Sequence, residues 1–193
     1  MKQILILMIM FSFFGCNPKQ NQKNKSKITN VTENLPFFGQ ISRSHGGYYE
    51  VENVKINDNI VSIDLNFEGD KINPKTLENV RMILNNIEII DKKVKNIFRD
   101  YMDEKGMVSE YYKFHIEEID NKTLEDFLKD TNQNLTKELQ LLSKTKLTRI
   151  GLSPNSPKFL TVLDYRVSSE LSADILVVFL NDKGGIERIT IES

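Results

Sequence analysis

The sequence predicts an α+β fold: a largely antiparallel sheet, its strands before and after a central helical block, with the helices packed on one face. Three observations carry this. From Ile60 to Glu68 apolar and polar residues alternate, with Val61, Ile63, Leu65 and Phe67 on one side, as in a half-buried antiparallel strand. From Leu77 to Tyr101 the apolar residues recur instead at steps of three and four, the period of a helix. From Thr145 onward the strand pattern returns and persists to Ser193. Strands and helices do not alternate along the chain, which argues against a repeated βαβ architecture.

The elements follow in order. Leu35 to Ser44 (LPFFGQISRS) reads as a strand and His45-Gly46-Gly47 as a turn. Tyr48 to Ile56 is a second strand, Asn57-Asp58-Asn59 a second turn, and Ile60 to Glu68 closes a three-stranded meander. Asn73 before Pro74 is a helix start, with Asn as the cap and Pro at the first helical position. The stripe that follows is Leu77, Val80, Leu84, Ile87, Ile90 or Ile89, Val94, Ile97 or Phe98, and Tyr101, ending near Gly106. Asn85-Asn86 is its weakest point, where two consecutive helices would meet, and Lys92, Lys93 and Lys95 fall on the solvated side. Val108 to Ile119, Thr123 to Lys129 and Leu135 to Lys144 are further helical segments, the last two separated by the polar loop from Asp130 to Asn134. Strands are then expected at Lys146 to Ser153, Lys158 to Ser168, Ala173 to Asn181 and Gly185 to Ser193. A tight hairpin at Asp182-Lys183-Gly184-Gly185 joins the last two. The run ILVVFL, from Ile175 to Leu180, marks a central strand covered on both faces.

Ahead of this domain stands MKQILILMIMFSFFGC, with Lys2, an apolar run from Ile4 to Phe14, Gly15 and the chain's single Cys, Cys16. A positive end, a short apolar segment and a small residue at the cut form the layout of a secretory signal. Its eleven apolar-run residues fall well short of the roughly 20 that a helix needs to cross a bilayer. The organisation expected is a signal peptide at 1–15, a lipidated Cys16 with a polar tether at 16–34, and one α+β domain at 35–193. The segment from Asn17 to Asn34 is rich in Asn, Gln and Lys and has too little apolar surface to offset the entropy of ordering. As flexible coil it would span about 20–25 Å. Of the 26 basic and 27 acidic residues, five and one precede Leu35, leaving 21 and 26 on the domain, a net charge of −5. That balance argues against nucleic acid, which wants a basic face. With one Cys there is no internal disulfide, and a domain of this length needs none.

Candidate chemistry is sparse. His115 and Glu118 stand at i and i+3 on a helix, a spacing suited to one metal, yet no third ligand lies nearby in sequence; a histidine at the edge of an apolar stripe is the competing account. His45-Gly46-Gly47 has the look of an esterase oxyanion loop, but no G-x-S-x-G accompanies it. Ser143 and Lys146 fit S-x-x-K without a partner motif. Asp64, Glu68 and Asp70 crowd a strand end but lack the spacing of a calcium loop. Asp164 and Arg166 share one strand face as an ion pair or polar patch. No phosphate-cradling loop, dinucleotide fingerprint or paired-cysteine site is present, so no cofactor and no metal are expected.

The Gly15-Cys16 junction resembles the lipobox of bacterial lipoproteins, with Phe13 and Phe14 where a Leu and a smaller residue are more usual. The resemblance implies that Cys16 is acylated, as by palmitate, and becomes the first residue of the mature chain. Asn17, in place of the Asp that retains lipoproteins at the inner membrane, implies the outer membrane, facing the periplasm. The blocks FFGQI, YYEVE, SIDLNFE, LLSKTKLTRIGLSP and ITIES together resemble an uncharacterised bacterial domain family that brings no catalytic residues. Small domains of this kind include immunity and partner-binding proteins, by analogy alone. The function expected is thus a lipid-anchored, non-catalytic binding domain of the cell envelope, touching the membrane through Cys16 and leaving a protein partner open. The alternative is an envelope hydrolase of unrecognised type, with Ser44, His45 and His115 the residues to converge in one pocket.

Overall fold

The computed structural model describes residues 31–43, 46–67, 71–102, 104–156 and 160–193. The first two strands, β1 (Thr32–Leu35) and β2 (Gly39–Ser42), form a small antiparallel sheet of their own. The segment beginning at Leu35 is therefore not one strand of a meander: Pro36, Phe37 and Phe38 turn the chain, and Phe37 takes a positive φ of 69°. Strand structure also starts at Thr32, inside the stretch expected to be tether. Glu33 explains why, since its carboxylate pairs with Arg43 at 3.2 Å and Arg81 at 3.4 Å and so fastens the hairpin to the body.

β3 (Gly47–Ile56) and β4 (Asn59–Phe67) form the next antiparallel pair, closed by Asn57 and Asp58 and broken by a bulge after Val51. Five helices follow. α1 (Pro74–Asn85) is capped by Asn73, whose side chain accepts from the Lys75 amide at 2.8 Å. α2 (Ile87–Asp100) begins after Asn86, whose side-chain amide donates back to the Met82 carbonyl at 2.8 Å and so occupies the helix end. α3 (Met107–Glu118), α4 (Asn121–Leu128) and α5 (Lys137–Lys144) complete the block, with Asp120 and Thr136 capping the last two. None of the described helices is long and apolar enough to cross a membrane.

The chain then returns to the sheet as β5 (Lys146–Leu152), β6 (Thr161–Arg166), β7 (Ile175–Leu180) and β8 (Ile186–Glu192). The order across the six-stranded sheet is that of the sequence, β3 to β8. Every neighbouring pair is antiparallel except β4 and β5, which run parallel with Ile63 opposite Ile150. A parallel neighbour cannot be reached by a hairpin, and the five-helix block is the crossover that reaches it. The fold is α+β, with a mostly antiparallel sheet.

The core lies between the helices and one face of this sheet. Leu77, Val80, Leu84, Ile87, Val94 and Phe98 are buried, and each such side chain stabilises the fold by roughly 1.5–3 kcal/mol. Phe98 meets Tyr165 of β6 edge-on at 5.1 Å. Tyr101 lies beyond the last turn of α2 and is exposed, so it leaves the stripe. The buried Asp91 of α2 accepts from the half-buried Asn57 at 2.9 Å and the buried Asn59 at 3.3 Å and lies 3.9 Å from Lys95, docking the β3–β4 turn onto the helix.

Candidate binding face

Opposite the side on which Tyr165 of β6 meets Phe98 of α2, the sheet presents the alternate residues of its strands. Alternation sends Asp64 of β4, Arg149 of β5 and Asp164 of β6 to this side. Arg149 joins them: its Nε and Nη2 donate to the two oxygens of Asp64 at 2.7 and 3.0 Å, and its Nη1 donates to Asp164 at 3.1 Å. Gly151 makes this geometry feasible, because a Cβ there would sit 2.8 Å from Nη2 of Arg149. Burial pushes the Asp164 carboxyl up from its ordinary range, and the guanidinium holds part of that rise back. For Arg149, burial works against the charged form, but the bonds to both carboxylates outweigh it and leave its pKa raised. On the next strand Arg188 lies over the Phe179 ring at 4.2 Å.

An open groove of about 720 Å³ runs from the Arg149 bridge to the rim of the sheet, where the ends of α4 and α5 reach it. Lys144, Lys146 and Arg166 line it, and none of them forms an ion pair among the described residues. Arg166 donates to the Ala173 carbonyl at 3.3 Å, while its buried Nε has no partner among the described residues. Ser62, Thr148, Ser168 and Ser169 add hydroxyls, and Phe127 an aromatic wall that carries Lys144 5.5 Å above its ring. Of the two readings of Asp164 and Arg166, the ion pair along β6 does not form, and Asp164 bonds across strands to Arg149 instead.

The groove is bounded by the loop from Val167 to Asp174, and one phenol fixes both its ends. Tyr111 of α3 is fully buried; its hydroxyl accepts from the Val167 amide and donates to the Asp174 carbonyl, each at 3.2 Å. Burial, partly offset by the bond to Val167, pushes that phenol up to about 12. It stays protonated, and a donor, at any physiological pH. One turn on, His115 directs Nδ1 to the Tyr111 carbonyl at 2.8 Å. A carbonyl only accepts, so Nδ1 carries the proton and Nε2 presents a lone pair. Nε2 is buried and has no partner among the described residues. Burial lowers the pKa of this ring from 6.5, against the opposing pull of the Tyr111 carbonyl and Asp174.

Of the residues singled out from sequence, Cys16, Ser44 and His45 lie outside the described residues, as do Glu68 and Asp70. His115 faces no nucleophile within hydrogen-bond reach among the described residues. His115 and Glu118 gather no metal-holding group there either. Ser143 donates to the Gln140 carbonyl of its own helix and lines a different hollow from Lys146. Asp64 is committed to Arg149 and not to a cation. Comparison with protein families, curated proteins and solved structures finds no match.

Proposed function

We propose that this chain is a lipid-anchored, non-catalytic binding domain of the bacterial cell envelope, whose open sheet face takes an acidic glycan. In this reading Cys16 carries the lipid at the outer membrane and the polar residues after it tether the domain on the periplasmic side. The observation that supports a binding role is the groove. On a body of net charge −5, Lys144, Lys146 and Arg166 converge there, none of them in an ion pair among the described residues, and Glu170 is the one carboxylate of the lining not bound to Arg149. Concentrated cations beside hydroxyls and an aromatic wall suit a carboxylate-bearing sugar, whose ring offers hydrogen-bonding groups and an apolar face.

The test has two arms. Replacing Cys16 with Ser moves the protein from the membrane fraction to the soluble fraction of its host if the anchor is real; retention in the membrane defeats that half. Calorimetry with oligogalacturonate should show saturable binding that weakens with salt and falls about tenfold or more in Lys146→Glu or Arg166→Gln. Equal binding of a neutral oligosaccharide, or none of either, defeats the other.

A further inference from the structure

The six-stranded sheet ends in β3 on one side and β8 on the other, and the two edges are built differently. β3 is broken by a bulge after Val51, where Asn53 takes a positive φ of 59°, and Glu50, Glu52 and Lys55 stand exposed along it. Bulges and exposed charges of this kind keep an edge from pairing with another chain. β8 runs straighter. From Arg188 to Glu192 its register with β7 is unbroken, no Pro, Gly or Lys interrupts it, and among the described residues no strand pairs with its outer side. Ile189 and Ile191 stand opposite the fully buried Val178 and Leu176, yet both remain only half-buried. Beside them an open hollow of about 440 Å³ separates β8 from the α2–α3 connection, with Tyr101, Met107, Ile186 and Ile189 among its walls. Tyr101 and Met107 are 45 % and 46 % exposed there.

From this edge we propose that two copies of the chain pair β8 to β8, antiparallel, about a two-fold axis through Thr190. Paired residues of an antiparallel ladder share a face, so such an axis passes through a residue and not between two. Centred on Arg188, it sets two guanidinium groups against each other. Centred on Ile189, it sets Glu187 against Ile191 of the second copy, and centred on Ile191 it gives Arg188 no partner in β8. Centred on Thr190, each Arg188 stands opposite Glu192 of the second copy, each Ile189 opposite Ile191, and the two Thr190 residues face each other. Opposite charges, β-branched pairs and facing threonines are the favourable cross-strand combinations. One short segment thus supplies both halves of a charge-complementary contact, as a two-fold interface requires, and this favours a second copy over an unrelated strand. Ile191 of the second copy arrives beside Ile189, on the wall of the hollow. Arg188, stacked on the Phe179 ring at 4.2 Å, is held on the open face, the side to which alternation also sends Glu192. The two sheets become one continuous sheet, with both helical layers on one side and both basic grooves on the other.

A strand contact with one adjoining hollow is a small interface, so the dimer should be weak, with a dissociation constant of about 1–100 µM. Sedimentation equilibrium of the full chain in non-ionic detergent measures it. Arg188→Glu or Glu192→Arg alone should weaken association about tenfold or more, and the double reversal should return it to within about threefold of wild type, all with unchanged circular dichroism. Cross-linking reads the register directly in the full chain carrying Cys16→Ser, which removes the only native thiol. Thr190→Cys should then give a disulfide-linked dimer on mild oxidation, because the axis brings its two Cα atoms within about 4.5–5.5 Å. Arg188→Cys should not, since its two copies lie about 13 Å apart along the strands. Association that the single reversals leave untouched, a double reversal that fails to restore it, or equal cross-linking at both positions overturns the proposal. A chain still monomeric at about 200 µM also overturns it, and leaves the edge to a strand of another protein.

Discussion

Tyr111→Phe deletes one oxygen and so tests how the loop that bounds the groove is held. The hydroxyl makes two bonds of 3.2 Å, to the amide of Val167 and the carbonyl of Asp174. Val167 is 5 % exposed, so its amide has no ready access to water once the partner is gone. An unsatisfied buried donor costs about 1–3 kcal/mol, and the half-buried Asp174 carbonyl adds a smaller loss, for about 2–3 kcal/mol in all. In a chain of this size that lowers the unfolding midpoint by about 4–12 °C. Thermal unfolding followed by circular dichroism measures the global part. Amide hydrogen exchange at Val167 measures the local part and should accelerate more than exchange in β4. Tyr112→Phe is the matched control, because its hydroxyl meets Thr145 at 3.0 Å, while Thr145 also donates to the Leu141 carbonyl at 3.0 Å and keeps a partner. A Tyr111→Phe protein that melts within about 1 °C of wild type, with Val167 exchange unchanged, would show that the phenol does not hold the loop.

Three further outcomes follow from the same structure. Leu84→Ala should cost about 2–5 kcal/mol and Leu84→Asp should abolish cooperative unfolding, since the site is sealed between α1 and the sheet; a retained midpoint in the Asp variant refutes the stripe. Arg149→Leu strands Asp64 and Asp164, whose side chains are only 9 % and 13 % exposed, and should cost about 1–3 kcal/mol, reduced from the fully buried case because the guanidinium itself is 45 % exposed. That deficit should shrink in acid as Asp164, whose carboxyl burial pushes above its ordinary range, protonates. For His115 the folded pKa lies below its ordinary 6.5, chiefly through burial, so the unfolded chain binds the proton first. Its contribution to stability is complete above about pH 6.5 and is lost as pH falls toward the folded value. Urea midpoints should decline between pH 7.5 and 5.5, and His115→Gln should flatten that decline.

What the sequence disclosed, and what it hid, divides along a physical line. Periodicity and caps are local, so the strands, the Asn73-Pro74 start and the break at Asn86 were legible from neighbours a few residues apart. Even the turn at Asn57 and Asp58 was readable, because its residue types are those of a turn wherever it lands. Its docking onto Asp91 was not readable, since an aspartate among Lys92, Lys93 and Lys95 has the look of a solvated face. Only the fold shows that the carboxylate turns inward, where Asn57 and Asn59 arrive from more than 30 positions earlier. The first hairpin was misread for a related reason: Pro36 to Phe38 is apolar enough to pass for strand, and the ion pairs that hold Glu33 come from Arg43 and Arg81, residues with no local signature.

The site follows the same rule more strictly. Asp64 and Arg149 lie 85 positions apart and meet only because β4 and β5 are parallel neighbours across the whole helical block. Had β5 returned by a hairpin, Asp64 would face a different strand and Arg149 would lack its carboxylate fork. The crossover that builds the core on one side of the sheet is thus also what assembles the charged face on the other. Sequence alone placed Asp164 with Arg166 because they are two apart on one face; the cross-strand neighbour won, since Arg149 directly opposite Asp164 reaches it at 3.1 Å while Arg166 turns to the loop that bounds the groove. Releasing Arg166 from Asp164 is what leaves its cationic head on the groove wall. The exchange of partners on this strand is therefore the step that turns a self-neutralised surface into one with charge to offer a ligand.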